Sequence, residues 1–430
     1  EILVAALDSM AGDNGLFLAK ILLAQFLVLS AAFIFAKLSR DWFFGLFLGV
    51  VAAVACQNHF TLRPQTFTWV YLLGAIFFAD RAIRRNRLFP DGFLLCGIFA
   101  LWANAHITTV IGVTTIIAWT YRRDRLALCS GLVLCAVIGT LLTPYLGGEW
   151  LTFLSKTSHP FEYSDIAEFQ PANILQFPTG FLILALSLCG LLIGFQPRLV
   201  FESPLLPVFG LGVVLGSLGI VKFLPYATLI TLSWAARLWS EREAPGTSFG
   251  TLEMALGHLQ SVFYRFPLDG LGFVLVCLNL VLGAQLYQGE RVDSGIVPVE
   301  AVKLLHEKNL PKPWLHTFGH GGYLMYDYTS HSADPSEYVF IDGRTNVTPP
   351  DIAKIFGEAR SGSRSWRRVL EISNPNSILW VGASPFVSLL LLTKEWCIVR
   401  EFPGPLRHTV LVKREEIERR PEEFEGAVCE

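Results

Sequence analysis

Ten apolar runs fill most of the first 288 residues of this 430-residue chain, and they leave it few ways to fold. They are Leu16–Leu38, Trp42–Cys56, Phe67–Ala79, Phe93–Ala105, Ile107–Tyr121, Leu126–Leu142, Ile174–Phe195, Leu205–Val221, Phe223–Trp239 and Leu268–Tyr287. Charged residues are 16% of the chain, against about 25% in soluble domains. That is too little charge to coat a soluble surface, and 33 Phe, 11 Trp and a mean hydropathy of +0.47 point the same way. The expectation is a polytopic α-helical membrane bundle of about ten transmembrane helices. Several runs fall short of the roughly 20 residues that a lone spanning helix needs. Short helices persist at membrane depth where protein covers them or where they line a cavity, so the bundle is expected to surround one.

Basic residues orient the alternation. Lys37 with Arg40, the stretch Arg81–Arg87 and the stretch Arg122–Arg125 mark three cytoplasmic turns. Phe89–Thr120 lies between the second and third, so it crosses twice, as a hairpin with its tip at Asn104-Ala105-His106. The outer side then holds the N-terminus, the Gln57–Pro64 turn, that tip, the Pro144–Pro171 loop and the Val221–Lys222 turn. The inner side holds Gln196–Arg198 and the Arg237–Arg265 loop, and its turns carry little but Arg and Lys. From Gly289 onward, 142 residues read as a soluble domain on the outer side.

The net charge of −2 excludes a nucleic-acid footprint. Six of the eight cysteines (Cys56, Cys96, Cys129, Cys135, Cys189, Cys277) fall in apolar stretches and read as small buried hydrophobes. A bridge between the remaining two, Cys397 and Cys429, stays open. The first residue is Glu1 rather than Met, so a missing upstream segment is expected.

The outer turns collect the polar residues: Asp8, Asp13, Asn58, His59, Arg63, Gln65, Asn104, His106, Tyr145, Glu149, Lys156, His159, Glu162, Asp165, Glu168, Lys222 and Tyr226. Ionisable groups near membrane depth are costly and mark a site or a wet cavity. Polar loop tips account for the solvated stretch Lys156–Asp165, but less well for Arg63, His106 and Lys222, which lie in or beside apolar runs. Arg63, Lys222 and His59 suit a lipid-linked phosphate. Glu149, Glu162, Asp165 and Glu168 suit a general base or the oxygen ligands of a divalent cation, the candidate cofactor here. Serine-hydrolase, zinc-protease and nucleotide-loop motifs are lacking.

Six segments, taken in order, then resemble one family. Leu62–Phe67 is similar to an RPxxF helix opening, and Leu101–His106 to a W-x-N-x-H-G hairpin tip. Thr143–Gly147 is similar to NPYG, followed by Ile166–Gln170 like I-x-E-W/F. Lys222–Pro225 resembles a basic-aromatic-x-Pro turn, and Val339–Arg344 a VFIDGR strand end. Together they resemble bacterial proteins of the GT-C glycosyltransferase superfamily, which includes protein mannosyltransferases and lipid A aminoarabinose transferases.

The resemblance implies sugar transfer from a polyprenyl-phosphate donor to an acceptor on the outer face of the bacterial cytoplasmic (inner) membrane. It places Arg63, Lys222 and His59 on the donor phosphate, and Glu168, His106 and Asp13 in catalysis. Asn104, Tyr145, Glu149, Tyr226 and Arg344 would line the acceptor side or the cavity. The family's principal carboxylate lies in the first outer loop, upstream of this chain's start, and Gly12–Gly15 resembles the bend that ends that loop. Ile107 stands where the family has Gly, and Thr143 where it has Asn. Those departures favour the alternative, a non-catalytic GT-C-like subunit docking partner subunits of a membrane complex. A transporter would need paired, interrupted repeats, which the runs do not show.

The C-terminal residues read as a three-layer α/β domain. Strands are expected at Trp314–Phe318, Tyr338–Ile341, Ser377–Val381, Cys397–Phe402 and Thr409–Lys413. Helices are expected at Pro298–Lys308, Pro350–Ala359, Ser365–Ile372 and Ser384–Thr393. Gly319–Tyr323 reads as a Gly-rich turn without the Lys or Ser/Thr of a nucleotide loop. Asp342-Gly343-Arg344 reads as a closing ion pair or a substrate-positioning turn. Glu415–Glu425 reads as a solvated helix or frayed end.

Overall fold

The computed structural model describes residues 2–157, 171–173, 182, 185–186, 189–190, 204–241, 297–331, 339–342, 348–382, 384–404 and 406–429. The main division between two compact units falls between Tyr287 and Gln288.

In the first unit, α1 (Ile2–Ser39) is two helices meeting at Gly12, whose φ of +55° is open to glycine but strained for other residues. α2 (Trp42–Cys56) starts where the Asp41 carboxylate accepts the Phe44 N–H at 3.1 Å, a side-chain cap for an otherwise orphaned donor. α3 (Pro64–Arg85) has Pro at its first position, where no N–H is needed, and stops at left-handed Asn86. There follow α4 (Asp91–Ala105), α5 (Thr109–Thr120), α6 (Leu126–Leu141), α7 (Gly148–Thr157), α8 (Leu205–Gly219) and α9 (Leu224–Ser240).

α9 is buried along almost its whole length and packs on α1, α2, α3 and α8, as a helix that is mostly apolar all round must. α1 and α2 meet through small residues, Gly45 against Ala36 and Gly49 against Ala32, the close backbone approach that small residues permit. Gly139 of α6 likewise sits against the Cys96–Ala100 turn of α4.

Asn14–Ser39, Trp42–His59, Pro64–Arg85 and Arg123–Leu141 are long and apolar enough to cross a membrane. Three further apolar helices, Asp91–Ala105, Thr109–Thr120 and Leu205–Gly219, are shorter. Of the ten expected crossings, most of Ile174–Phe195 and all of Leu268–Tyr287 lie outside the described residues. The outward apolar surface is extensive: Leu18, Leu22, Phe26, Leu29 and Phe33 are exposed along one side of α1. Only 22% of that helix's most apolar window is buried, so the described residues leave most of it without cover.

One end of the bundle carries an ion network that sequence reading missed. Asp80 of α3 is 4% exposed and pairs with Arg84 at 2.5 Å, with Arg237 of α9 at 3.9 Å. Arg84 also donates to the Leu38 carbonyl and to Ser240 Oγ. Arg237 donates to the Trp119 carbonyl, lies over the Trp119 ring and pairs with Glu241. Arg81 pairs with Asp91, and Trp239 Nε1 donates to Asp41. The turns read as holding little but Arg and Lys therefore hold a carboxylate for several of their cations. The reason is dielectric: a guanidinium at partial burial is tolerated when paired.

The second unit holds α10 (Val299–Glu307), β1 (Trp314–His316), α11 (Gly321–His331), α12 (Pro350–Ser361), α13 (Arg368–Ser373), β2 (Ser377–Val381), α14 (Pro385–Leu392), β3 (Trp396–Phe402), β4 (His408–Lys413) and α15 (Arg414–Arg419). The sheet order is β1-β2-β4-β3, with β1–β2 parallel and the other pairs antiparallel. Strand alternation sorts its side chains. Leu315, Ile378, Trp380 and Leu411 meet Ile355, Phe356, Val369 and Phe386 on one face. Trp314, Leu379, Val410 and Val412 meet Ala301, Leu305, Leu324 and Phe424 on the other. Three layers result.

One expectation fails here. Val339–Asp342 is not a strand: the Phe340 N–H is donated at 3.0 Å to His316 Nε2 instead of a neighbouring strand. The C-terminal tail opens as the expected solvated helix, Arg414–Arg419, with no buried residue, and its end is docked rather than frayed. Phe424 is buried, Ile398 and Val428 exchange backbone hydrogen bonds, and Cys397 is bridged to Cys429.

The bridge closes a loop with a sequence separation of 32 residues, and by chain entropy its loss costs about 3–4 kcal/mol. Cys397→Ser in the full chain is expected to make β3 and β4 far more susceptible to pulse proteolysis in mild denaturant. Resistance equal to wild type would contradict this.

Candidate functional site

Four segments meet at the other end of the helical unit. Arg63 is the exposed residue preceding α3, in extended conformation before Pro64, and His59 is half-buried in the 3-10 turn after α2. Gln65 Nε2 donates at 3.4 Å to the Lys222 carbonyl, which ties the start of α3 to the Val221–Phe223 turn before α9. Lys222 is half-buried there.

A run of buried hydroxyls joins the remaining pieces. Thr68 Oγ1 donates to the Gln65 carbonyl at 2.6 Å. Its remaining capacity is as acceptor, so the Tyr226 hydroxyl donates to it at 2.5 Å. Tyr226 in turn accepts from Thr108 Oγ1 at 2.9 Å, and Thr108 accepts from Trp102 Nε1 at 3.2 Å. Each hydroxyl thus donates once and accepts once, from the α4–α5 hairpin through α9 to α3. His106 Nδ1 lies 3.1 Å from Thr108 Oγ1 and 3.3 Å from the Thr108 backbone nitrogen, which ties the imidazole to the end of the hydroxyl chain. The chain seats His106 beside Tyr226 while leaving Nε2 to other contacts.

Sequence reading named Tyr226, Arg63, Lys222 and His106, and Trp102 as the W of the hairpin-tip motif, but not Thr68 or Thr108. A signal existed: Trp and Tyr buried in apolar runs need a partner for their polar atom. What sequence could not supply was the partner, 158 positions away for Thr68 and Tyr226.

The other candidates divide. Asn104 is exposed and holds the hairpin tip to α6, donating to the Ala100 carbonyl at 2.8 Å and the Leu142 carbonyl at 2.9 Å. Tyr145 is 76% exposed. Glu149, near the start of α7, has a buried Oε2 with no hydrogen-bond partner, and burial raises its carboxyl above the usual range. The Asp13 backbone lies just past the Gly12 bend, and its side chain is outside the described residues, as are Glu168 and Arg344 entirely. Among the described residues, no three His, Cys, Asp or Glu side chains are grouped to hold a metal ion.

Between α1, α2, α3 and α9 lies a small apolar crevice of about 20 Å³, walled by Leu27, Ala31, Cys56, Phe60, Trp69 and Leu229 among others. Phe60 and Trp69 flank Arg63 in sequence. Basic, imidazole and hydroxyl groups therefore share one end of the bundle, a combination able to receive an anionic head group, while the crevice as it stands has room for about one water. No protein-family model matches the chain, and no curated protein matches it either.

Proposed function

We propose that this chain is a GT-C-type membrane glycosyltransferase of the bacterial cytoplasmic membrane, taking sugar from a polyprenyl-phosphate carrier at the outer face. The observation that carries this reading is the convergence of Arg63, His106 and Lys222 at one end of an apolar bundle. Arg63 and Lys222 supply positive charge for the carrier phosphate, which leaves as the bond between the sugar's anomeric carbon and the phosphate oxygen breaks. An acceptor hydroxyl forms the new bond to that carbon, and its proton passes to a carboxylate. Glu149 is the described acid suited to that task, because burial raises its proton affinity toward neutrality. Glu168 and Asp13 are further candidates from the family resemblance. The Cys397–Cys429 bridge supports an extracytoplasmic C-terminal unit, since disulfides persist in oxidising compartments.

The test is sugar transfer from a polyprenyl-phosphate sugar by full-length protein in bilayer nanodiscs. Lys222→Ala is expected to lower turnover at least about 100-fold, the scale of losing a preorganised electrostatic contact in a transition state. Unchanged turnover overturns the assignment. A wild-type protein without turnover, purifying at fixed stoichiometry with other membrane subunits, would move the chain to the non-catalytic reading.

A further inference from the structure

Two imidazoles inside the C-terminal unit lack, among the described residues, the well-aligned hydrogen bonds that buried polar groups normally have. His320, the residue before α11, and His408, the first of β4, are each 2% exposed. Their ring centroids lie 5.0 Å apart, edge to face. Among the described residues, no ring nitrogen of either has a hydrogen-bond partner at normal geometry. The neighbouring His316 differs: its Nδ1 donates to the Thr317 carbonyl at 3.0 Å while its Nε2 accepts the Phe340 N–H. It is thereby fixed as a neutral ring.

This pair sits at a structural junction. The turn carrying His320 leads into Gly321, and a side chain at Gly321 would collide with the Ile341 carbonyl and with Asp342. β4, opened by His408, lies in the middle of the sheet between β2 and β3. Three pieces, the α11 start, the Val339–Asp342 segment and β4, thus close on neutral rings.

We infer that His320 and His408 form an acid-sensitive latch, closed while both rings are neutral and released when they take up protons. Charging either ring puts a cation in an unsolvated site beside another imidazole. The groups acting on His320 are the rings of His408 and His316, which oppose its charge, and the Leu379 carbonyl of β2, which favours it. Asp342 acts on His316. Glu401 and Arg407 of the β3–β4 edge are exposed to solvent.

Burial holds His320 down to about 3 and His316 to about 4, and lowers His408. An unfolded histidine titrates near 6.5. Folded values below the unfolded one mean that the latch is fully stable above pH 6.5 and weakens as pH falls toward the folded values.

The test is hydrogen–deuterium exchange of the full-length protein in nanodiscs from pH 7.5 to 4.5, corrected for intrinsic exchange. In wild type, opening of segments 314–331 and 408–413 should rise below pH 6.5 by about tenfold per pH unit for each neutral ring that it exposes, about 100-fold from His320 and His408 together, with His316 steepening segment 314–331 further. Segment 64–85 of α3 should not change. Because a buried replacement can itself unfold the unit, His408→Phe and His320→Gln are run in parallel, and either one that folds should show a slope about tenfold per pH unit shallower than wild type. A flat wild-type profile overturns the latch. So does an unchanged slope in a folded variant, or protection at pH 7.5 that a chelator removes, which would make the pair a metal site.

Discussion

Asp80→Ala is expected to cost the helical unit about 3–5 kcal/mol, the range for breaking a buried ion pair by removing one partner. Asp80 is the shared carboxylate between Arg84 and Arg237. Without it, Arg237, itself 4% exposed, keeps Glu241 as its counter-charge, and Arg84 is left with neutral acceptors. Two guanidinium groups then face each other across a poorly solvated gap. The loss should appear as a lower midpoint in denaturing-detergent titration of the purified protein. Adding Arg84→Met to Asp80→Ala should recover part of that loss, since it removes one of the two stranded charges. Non-additivity of this sign is the mark of direct coupling. A double variant weaker than Asp80→Ala by the full cost of Arg84→Met alone would show that the groups do not act as a network.

Gly45→Leu should be nearly as damaging, for a steric reason. A Cβ at Gly45 would fall within the van der Waals envelope of the Ala36 backbone. Backbone, unlike the end of a flexible side chain, cannot swing aside, so α1 and α2 must separate along the seam that also holds Gly49 against Ala32. Overpacking costs typically 1–3 kcal/mol and occasionally more, and here a whole helix pair has to move. Gly97, which faces open space, serves as the control. Gly97→Leu should leave the unfolding midpoint close to wild type while Gly45→Leu lowers it sharply. Equal midpoints would contradict the close helix contact.

The apolar runs made much of the helical unit legible, because burial and lipid exposure both act on composition over 15 or more residues. The expected run Trp42–Cys56 coincides with α2, and the expected bend at Gly12–Gly15 coincides with the left-handed Gly12. Strands β1, β2, β3 and β4 fall within a residue or two of their expected bounds, since alternation registers which face is buried. Val339–Phe340-Ile341 carries the same β-branched and aromatic signal, yet its backbone serves a histidine side chain rather than a ladder. Pairing between distant residues was the illegible part. Nothing periodic announces that Asp80 meets Arg237 or that Thr68 meets Tyr226; the Cys397–Cys429 pair came into view only because those two cysteines fall outside the apolar runs. Of the candidate site, sequence supplied the cations and the imidazole. The hydroxyl chain that positions them needed the fold.

The most direct test of the central claim is binding of a polyprenyl phosphate to the full-length protein in nanodiscs, measured by native mass spectrometry against the dephosphorylated polyprenol. The proposed site predicts retention of the phosphate form alone, falling at least about tenfold in an Arg63→Ala/Lys222→Ala variant that keeps its unfolding midpoint, as expected for two lost charge-assisted contacts. Equal retention of phosphate and alcohol, or full retention by that folded variant, would contradict it.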